Sequence, residues 1–242
     1  MRYAILGDIH ANQEALEAVL HDSSLEGCEE YACIGDIVGL GASPRECIDR
    51  IRDLDCSTVK GDSDEISSEI SPLDGLNPIL KRMICWTRDQ LSSDDKKWLR
   101  GLTLVSEIRG FTIVHATLDS PSSWAYVVNE FDAMASFSYQ HTNLCFFGHT
   151  HCPKFYMKDD CVSSEAGDRI DLRESTKYFI NVGSVGQPRD GDPRACYAIY
   201  DTEQAWVRIK RVDYDSGLAQ RKLIDSGLPP LIRSEQASDG QA

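Results

Sequence analysis

The sequence lacks any long hydrophobic run. Nothing in it approaches the roughly 18 consecutive apolar residues of a membrane-spanning helix, so no membrane partner is expected. It opens without a basic segment followed by an apolar stretch, going straight into Tyr3-Ala4-Ile5-Leu6, and a secretory signal is not expected. Basic residues are few: 25 Lys and Arg stand against 39 Asp and Glu, a formal net charge of -14. A long nucleic acid is therefore a poor partner, since no basic stripe can release its counterions. The nine cysteines form no C-x-x-C pair and are odd in number, which argues against a disulfide framework or a zinc ribbon. Reduced thiols and a cytoplasmic location are the expectation. There is no internal repeat and no Gly/Ser/Pro-rich linker. Residues 1–230 read as one domain large enough to bury a core, and 231–242 as a polar tail.

What is present begins with alternation. Residues 3–6 are short and apolar. Residues 12–21 place Leu16, Val19 and Leu20 on one helical face, with Asn12 as N-cap. A second strand over 31–34, a helix over 44–53 opened by Pro44 and a third strand over 57–60 complete a β-α-β-α-β order that predicts parallel strands. Residues 75–101 read as helical. Strands are then expected over 103–108, 111–114, 143–147, 153–157, 168–173, 177–181, 195–200 and 204–212, and a last helix over 215–226, stopped by Gly227 and Pro229.

Three acidic motifs each follow a predicted strand: Gly7-Asp8-Ile9-His10, Gly35-Asp36-Ile37-Val38-Gly39 and Gly61-Asp62-Ser63-Asp64. Parallel strands bring their carboxyl ends to one sheet edge, where open α/β sheets keep their sites. Asp8 and His10 lie two apart, so in an extended segment they share a face and can grip one ion. The second half supplies histidines in the same way. His115 ends the apolar run from Phe111, and Gly148-His149-Thr150-His151 follows Leu144 to Phe147; His21 and His141 fall elsewhere. Any one of these motifs alone reads as a turn, a cap or a structural histidine. Together they offer a mixed Asp/His ligand set suited to Mn²⁺, Fe²⁺ or Zn²⁺. Two such ions make a clamp for in-line attack on phosphorus.

These segments resemble the signature of the calcineurin-like metallophosphoesterases, and specifically the small bacterial branch similar to YfcE-type phosphodiesterases. Supporting stretches are Asp8 to Leu20, Gly35 to Cys47, Trp86 to Leu91 and Asn181 to Arg194. The resemblance implies an α/β fold, a four-layer α/β/β/α sandwich of two mixed β-sheets flanked by helices. It implies a hydrolase of small phosphate esters, a phosphodiesterase or phosphatase, with a nucleotide among the candidate substrates. Its cofactors would be two divalent metal ions, Mn first, with Fe, Zn, Ni or Mg as alternatives. Asp8, His10 and His151 would hold the first ion, Asp36 would bridge, and Asp62, His115 and His149 would hold the second. A bridging hydroxide would be the nucleophile. Asn181, Gly183 and Ser184 match a loop beside the site, and with Arg189 they are the expected substrate contacts.

The third motif departs from the family pattern, which reads Gly-Asn-His-Asp or has Cys for His. Asp62 adds a carboxylate, which tightens hard cations while weakening their pull on phosphate. Ser63 stands where a His, oriented by the residue at Asp64, would protonate the leaving alcohol; that protonation typically contributes about 10²–10⁴-fold. Asp36, Asp62, Ser63 and Asp64 are thus the residues nearest the chemistry. The expectation is an esterase favouring aryl oxides or the phosphate end of a polyphosphate. The alternative is a nearly inactive metal- or nucleotide-binding regulator on the same fold. Ala11 and Val182 stand where Gly and Pro are usual. Residues 118–137 are expected to shape the substrate mouth, with Trp124, Tyr126 and Phe131 read as core rather than as base-stacking groups.

Overall fold

The computed structural model describes residues 1–69 and 73–229; the expected tail, 231–242, lies outside the described residues. The chain opens with β1 (Arg2–Leu6), α1 (Gln13–Leu25), β2 (Glu30–Cys33), α2 (Pro44–Asp53) and β3 (Ser57–Thr58). Three helices follow, α3 (Asp62–Ser68), α4 (Pro78–Gln90) and α5 (Ser93–Gly101), then β4 (Val105–Ile108) and β5 (Phe111–Val114). The rest is α6 (Glu130–Tyr139), β6 (Leu144–Phe147), β7 (Lys154–Lys158), β8 (Val162–Glu165), β9 (Arg169–Asp171), β10 (Lys177–Asn181), β11 (Ala195–Asp201), β12 (Trp206–Val212) and α7 (Ser216–Asp225).

The strands form two mixed sheets, ordered β3-β2-β1-β11-β12-β9 and β4-β5-β6-β10-β7-β8. In the first sheet β1, β2 and β3 run parallel, as the β-α-β-α-β order predicts. In the second, β5, β6 and β10 run parallel.

Side-chain alternation along the strands builds the layers. Tyr3 and Ile5 of β1 join Phe111, Ile113, Phe146 and Ile180 in a core between the two sheets. Ala4 and Leu6, on the other face of β1, pack with Leu16 and Val19 of α1 and Ile48 and Ile51 of α2. Cys145, Phe147 and Phe179 face outward from the second sheet onto Ala133 and Phe137 of α6. The result is the expected four-layer α/β/β/α sandwich. All nine cysteines are free.

Asn12 caps α1, its side chain accepting from the Ala15 N–H at 3.2 Å, and Pro44 opens α2. Two elements escape the sequence pattern. Helix α3 is seven residues with one apolar side chain, so it has no period to read; it forms because Asp64 folds back to accept the Gly61 N–H at 3.1 Å. Strand β8, Val-Ser-Ser-Glu, is an edge strand poor in β-formers, held by its hairpin with β7. Helix α6 did carry a signal, Asn129-x-x-Asp132, which caps it reciprocally.

The reading of Trp124, Tyr126 and Phe131 as core needs correction. Tyr126 and Phe131 are exposed and Trp124 is half-buried. The loop carrying Trp124 and Tyr126 lies over the site, with no hydrophobic layer there to receive their rings, and Phe131 sits on the exposed face of α6.

Candidate metal centre

The loops leaving β1, β2, β3, β5 and β6 carry Asp8, Asp36, Asp62, His115 and the His149/His151 pair to one place. Stitching holds them there. The Asp8 N–H donates to Gly35 O at 3.1 Å, the His10 N–H to Asp36 O at 2.8 Å and the Gly148 N–H to His115 O at 2.9 Å. Two glycines permit the approach. A Cβ at Gly61 would lie 2.0 Å from Asp36 Oδ1, and one at Gly148 2.2 Å from Asp8 Oδ2. Asp8, His10, Asp36, His149 and His151 all have positive φ, between 50° and 65°. That conformation costs an L-residue with a Cβ roughly 1–2 kcal/mol, and such strain gathers at functional sites.

The ligand atoms fall into two adjoining clusters, Asp8/His10/Asp36/His151 and Asp62/His115/His149, each with its atoms within 4.8 Å of one another. In the first, His10 Nε2 and His151 Nε2 are 3.1 Å apart, and His151 Nε2 is 3.2 Å from Asp8 Oδ1. In the second, Asp62 Oδ1 lies 3.2 Å from His115 Nε2 and 3.0 Å from His149 Nδ1, which are themselves 3.2 Å apart. Asp36 Oδ2 sits between the clusters, 3.4 Å from His10 Nε2 and 3.6 Å from His115 Nε2.

The outer ring nitrogens decide what the inner ones can do. His115 Nδ1 is 2.9 Å from Ile34 O, His149 Nε2 is 2.9 Å from Trp124 O and His151 Nδ1 is 2.6 Å from Gln187 O. A carbonyl only accepts, so each of these nitrogens carries the hydrogen of the neutral ring. The opposite nitrogens, aimed inward, are bare lone pairs. With the rings neutral, two lone pairs and a carboxylate oxygen converge in the second cluster, and a cation, metal ion or proton, must sit among them. Two divalent ions against Asp8, Asp36 and Asp62 would leave a net charge of +1, able to attract a phosphate, so the donor set fits the pair of ions the sequence suggests.

Without them, protons bear the strain. Burial opposes the charge on His115, but Asp36, Asp62 and Asp8 outweigh it and lift its pKa well above the usual imidazole value. Burial, with Asp62 beside it, drives Asp36 well above the usual carboxylate range. Burial and then His151 push His10 well below its usual value. Burial also works against the charge on Asp8, yet the histidines around it hold its carboxyl low.

The remaining expected residues are placed as follows. Ser63 is buried, and its N–H donates to Asp36 Oδ1 at 2.9 Å. Asp64 is buried too: Oδ1 accepts from the Ile37 and Val38 N–H groups at 2.8 and 3.1 Å, so it ties the Asp36 loop to the Asp62 loop. Asn181, Gly183 and Ser184 do not face the opening. Asn181 Nδ2 donates to Gly148 O and Thr150 Oγ1 while its Oδ1 accepts from the Gly183 N–H; the Ser184 hydroxyl donates to Asp8 O at 2.8 Å. These contacts engage the Asn181 and Ser184 side chains in holding the loops beneath the site. Val182 contributes an N–H to Phe147 O at 3.0 Å that a proline would lack. Arg189 is exposed near the mouth, donating to Gln187 Oε1 at 3.0 Å. Tyr126, which the sequence reading assigned to the core, stacks on His149 with ring centroids 4.3 Å apart. The run from Pro121 to Tyr126 gave no sequence signal that one of its carbonyls orients a histidine.

The calcineurin-like phosphoesterase superfamily domain matches residues 1–205. This chain belongs to that superfamily. It is 38% identical over 239 residues to an uncharacterised protein of Methanocaldococcus jannaschii, covering 95% of this chain and 94% of that one. A metallophosphoesterase from Sphaerobacter thermophilus has a similar structure, with a TM-score of 0.84, 36% identity and 95% of each chain covered. A hypothetical protein from Pyrococcus horikoshii shares the fold at a TM-score of 0.76 and 21% identity, over 94% of each chain. Family and site together support phosphoester hydrolysis. Among the described residues no helix is long and apolar enough to cross a membrane.

Proposed function

We propose that this protein is a two-metal hydrolase of small phosphate esters, a phosphodiesterase or phosphatase that favours good leaving groups. The observation that carries the reading is the second cluster's three convergent acceptors with Asp36 Oδ2 between it and the first. Asp8, His10 and His151 would hold one ion, Asp62, His115 and His149 the other, and Asp36 both. Bound there, divalent cations of the Mn²⁺ class supply Lewis acidity, lowering the pKa of a water and neutralising phosphoryl oxygens. The chain's own part is to fix that geometry in advance. Carbonyls of Ile34, Trp124 and Gln187 set the tautomers, Asp64 clamps two ligand loops together, and Arg189 at the mouth offers a guanidinium fork to a phosphoryl group. Ser63 has a hydroxyl too weakly acidic to protonate an alkoxide, hence the preference for leaving groups that need no proton.

The test is turnover of bis-p-nitrophenyl phosphate by Mn²⁺-loaded protein. Activity should vanish in His149→Ala, and alkyl diesters should be much slower. Equal rates on aryl and alkyl esters would refute the leaving-group preference. The specific feature behind a second reading, a metal-bearing regulator, is Ser63 in the acid's place. Two bound metal equivalents with no turnover on any phosphate ester would favour it.

A further inference from the structure

The hydrolase reading leaves open which ester the site accepts; the inference here rests on that reading and concerns the alcohol side. A cavity of about 350 Å³ opens against the second cluster. Leu76, Leu80, Ile84 and Trp124 give it an apolar wall, and Ser63 lines it together with the carboxylates of Asp62, Glu65 and Glu69. Among the described residues no Lys or Arg lines it. The first cluster's flank has the opposite charge. There Arg189 donates its backbone N–H to His151 O at 3.3 Å, and its positive charge acts on Tyr126 and His10. The two flanks therefore differ in charge, cationic beside His151 and carrying the Glu65 and Glu69 carboxylates beyond Asp62.

We infer that this cavity receives the departing alcohol of the phosphate ester and selects an uncharged, apolar one, an aryl or alkyl group, over an anionic one such as the phosphate end of a polyphosphate. Three features support this. The cavity begins at Ser63 and Asp62, so a group leaving phosphorus on that side enters it directly. Its volume, about 350 Å³, admits an aryl group. Its own lining is the wrong sign for an anion: Glu65 lies outside both ligand clusters and so binds no ion itself, and Glu69 lines the cavity beside it. Hydrolysis forms one P–O bond to water and breaks the one to the alcohol. The alcohol leaves with both electrons as its oxide, and the water's proton passes to solvent. An aryloxide tolerates that departure because its ring spreads the charge and the open cavity lets solvent reach the oxygen. What meets Trp124, the leucines and the carboxylates is the ring and its substituents, so a second, localised charge there is what the cavity rejects.

The experiment compares matched pairs on Mn²⁺-loaded protein. One pair is hydrolysable, 4-nitrophenyl phosphate and its 3-carboxy derivative. The other is not, 4-nitrobenzylphosphonate and 4-carboxybenzylphosphonate, read by calorimetry. The neutral member of each pair should win by roughly tenfold or more, in kcat/KM or in Kd, as expected for one added like charge near a carboxylate. Glu65→Lys should shrink that ratio toward one or invert it; Glu65 is partly exposed, so the fold should bear the exchange. Leu80→Glu should weaken the neutral phosphonate. Ratios of one in wild-type protein, or ratios that Glu65→Lys does not move, would overturn the assignment. Turnover with a ratio of one removes the cavity's role and leaves the hydrolase reading standing. Discrimination between the phosphonates with no turnover of either ester does the reverse.

Discussion

Asp8, His10, Asp36 and His151 are sealed from solvent, while the adjoining cluster keeps the Asp62 side chain 38% exposed beside an open cavity. The difference lies in what holds each half. The first cluster hangs on reciprocal ties between loops: His10 N–H to Asp36 O, Gly186 N–H to Asp8 O, and His149 N–H to the Asp8 carboxylate at 3.1 Å. Its ligands are also supports, so an exchange there disturbs several loops at once. In the second cluster the Asp62 carboxylate pairs with the two histidines, and the residue begins a seven-residue helix. Exchanging it alters charge without unpicking a loop, and it is here that the chain departs from its family's third motif. The closed half supplies geometry, and the open half sets the chemistry.

The largest effect should come from breaking the closed half. Asp8→Ala removes a ligand, a partner of His151 and the acceptor of the His149 N–H together. Phosphoesterase turnover should fall by at least about 10³-fold, the scale of losing a group that anchors transition-state charge. Elemental analysis should show metal lost from the protein. Retention of both equivalents would mean that the halves are not built as differently as they look.

Recasting the open half should do the opposite. Asp62→Asn with Ser63→His restores the family pattern, and the cavity beside Ser63 gives the new ring room. Turnover of alkyl esters should rise by about 10²-fold, the lower end of what a general acid contributes. Aryl esters should gain little. A uniform gain on both would assign the effect to the lost Asp62 charge alone.

Much of this contrast was legible in the sequence. Strand-end Asp and His motifs predict the convergence because parallel strands must deliver them to one edge, and the periodic segments gave most of the strands and helices to within a few residues. The pattern could not show that Asn181 and Ser184 are spent on the loops beneath the site, since a buried latch and a substrate contact use the same residue types. Nor could it place Trp124 and Tyr126 over His149. Aromatic residues imply burial only where a layer exists to bury them, and here the loop crosses the site. Helix α3 was hidden for a similar reason: its capping geometry makes it, not its apolar period.

A milder probe of the same contrast is pH. In metal-free protein His115 takes a proton in place of a cation, its pKa raised well above the usual value. That contribution is fully present below the unfolded value of about 6.5 and is lost as pH rises through the folded one. The raised pKa of Asp36 acts in the same direction, because its extra proton in the fold is lost as pH rises. The lowered pKa of Asp8 and Asp62 matters only in acid, and His10 has no further effect above its unfolded value. Chelated protein should therefore lose stability above pH 6.5, by up to about 1.4 kcal/mol per pH unit for the proton that the neighbouring His115 and Asp36 share. At about 2–4 °C per kcal/mol in a domain of this size, melting scans should resolve it. Mn²⁺-loaded protein should not show the decline, since the cation replaces the proton. Parallel pH profiles with and without metal would refute the substitution.

The smallest effect isolates backbone strain from ligand loss. Five ligands carry positive φ, and none can become glycine without losing a donor; Ala11, at φ 54° in the same loop, can. Glycine there relieves roughly 1–2 kcal/mol of left-handed strain. Against that, the Ala11 methyl is 1% exposed, and losing its burial costs about 0.8 kcal/mol. Glycine's added freedom in the unfolded chain costs a further roughly 0.5–1 kcal/mol. These nearly cancel, so Ala11→Gly should shift stability by less than about 1 kcal/mol, with metal content unchanged. A gain well beyond that in a melting scan would show strain the fold does not offset, and the closed half would then be stabilised chiefly by its ions. A comparable loss would show that the methyl contact, rather than the hydrogen-bonded loop backbone, holds the Asp8–His10 turn in place.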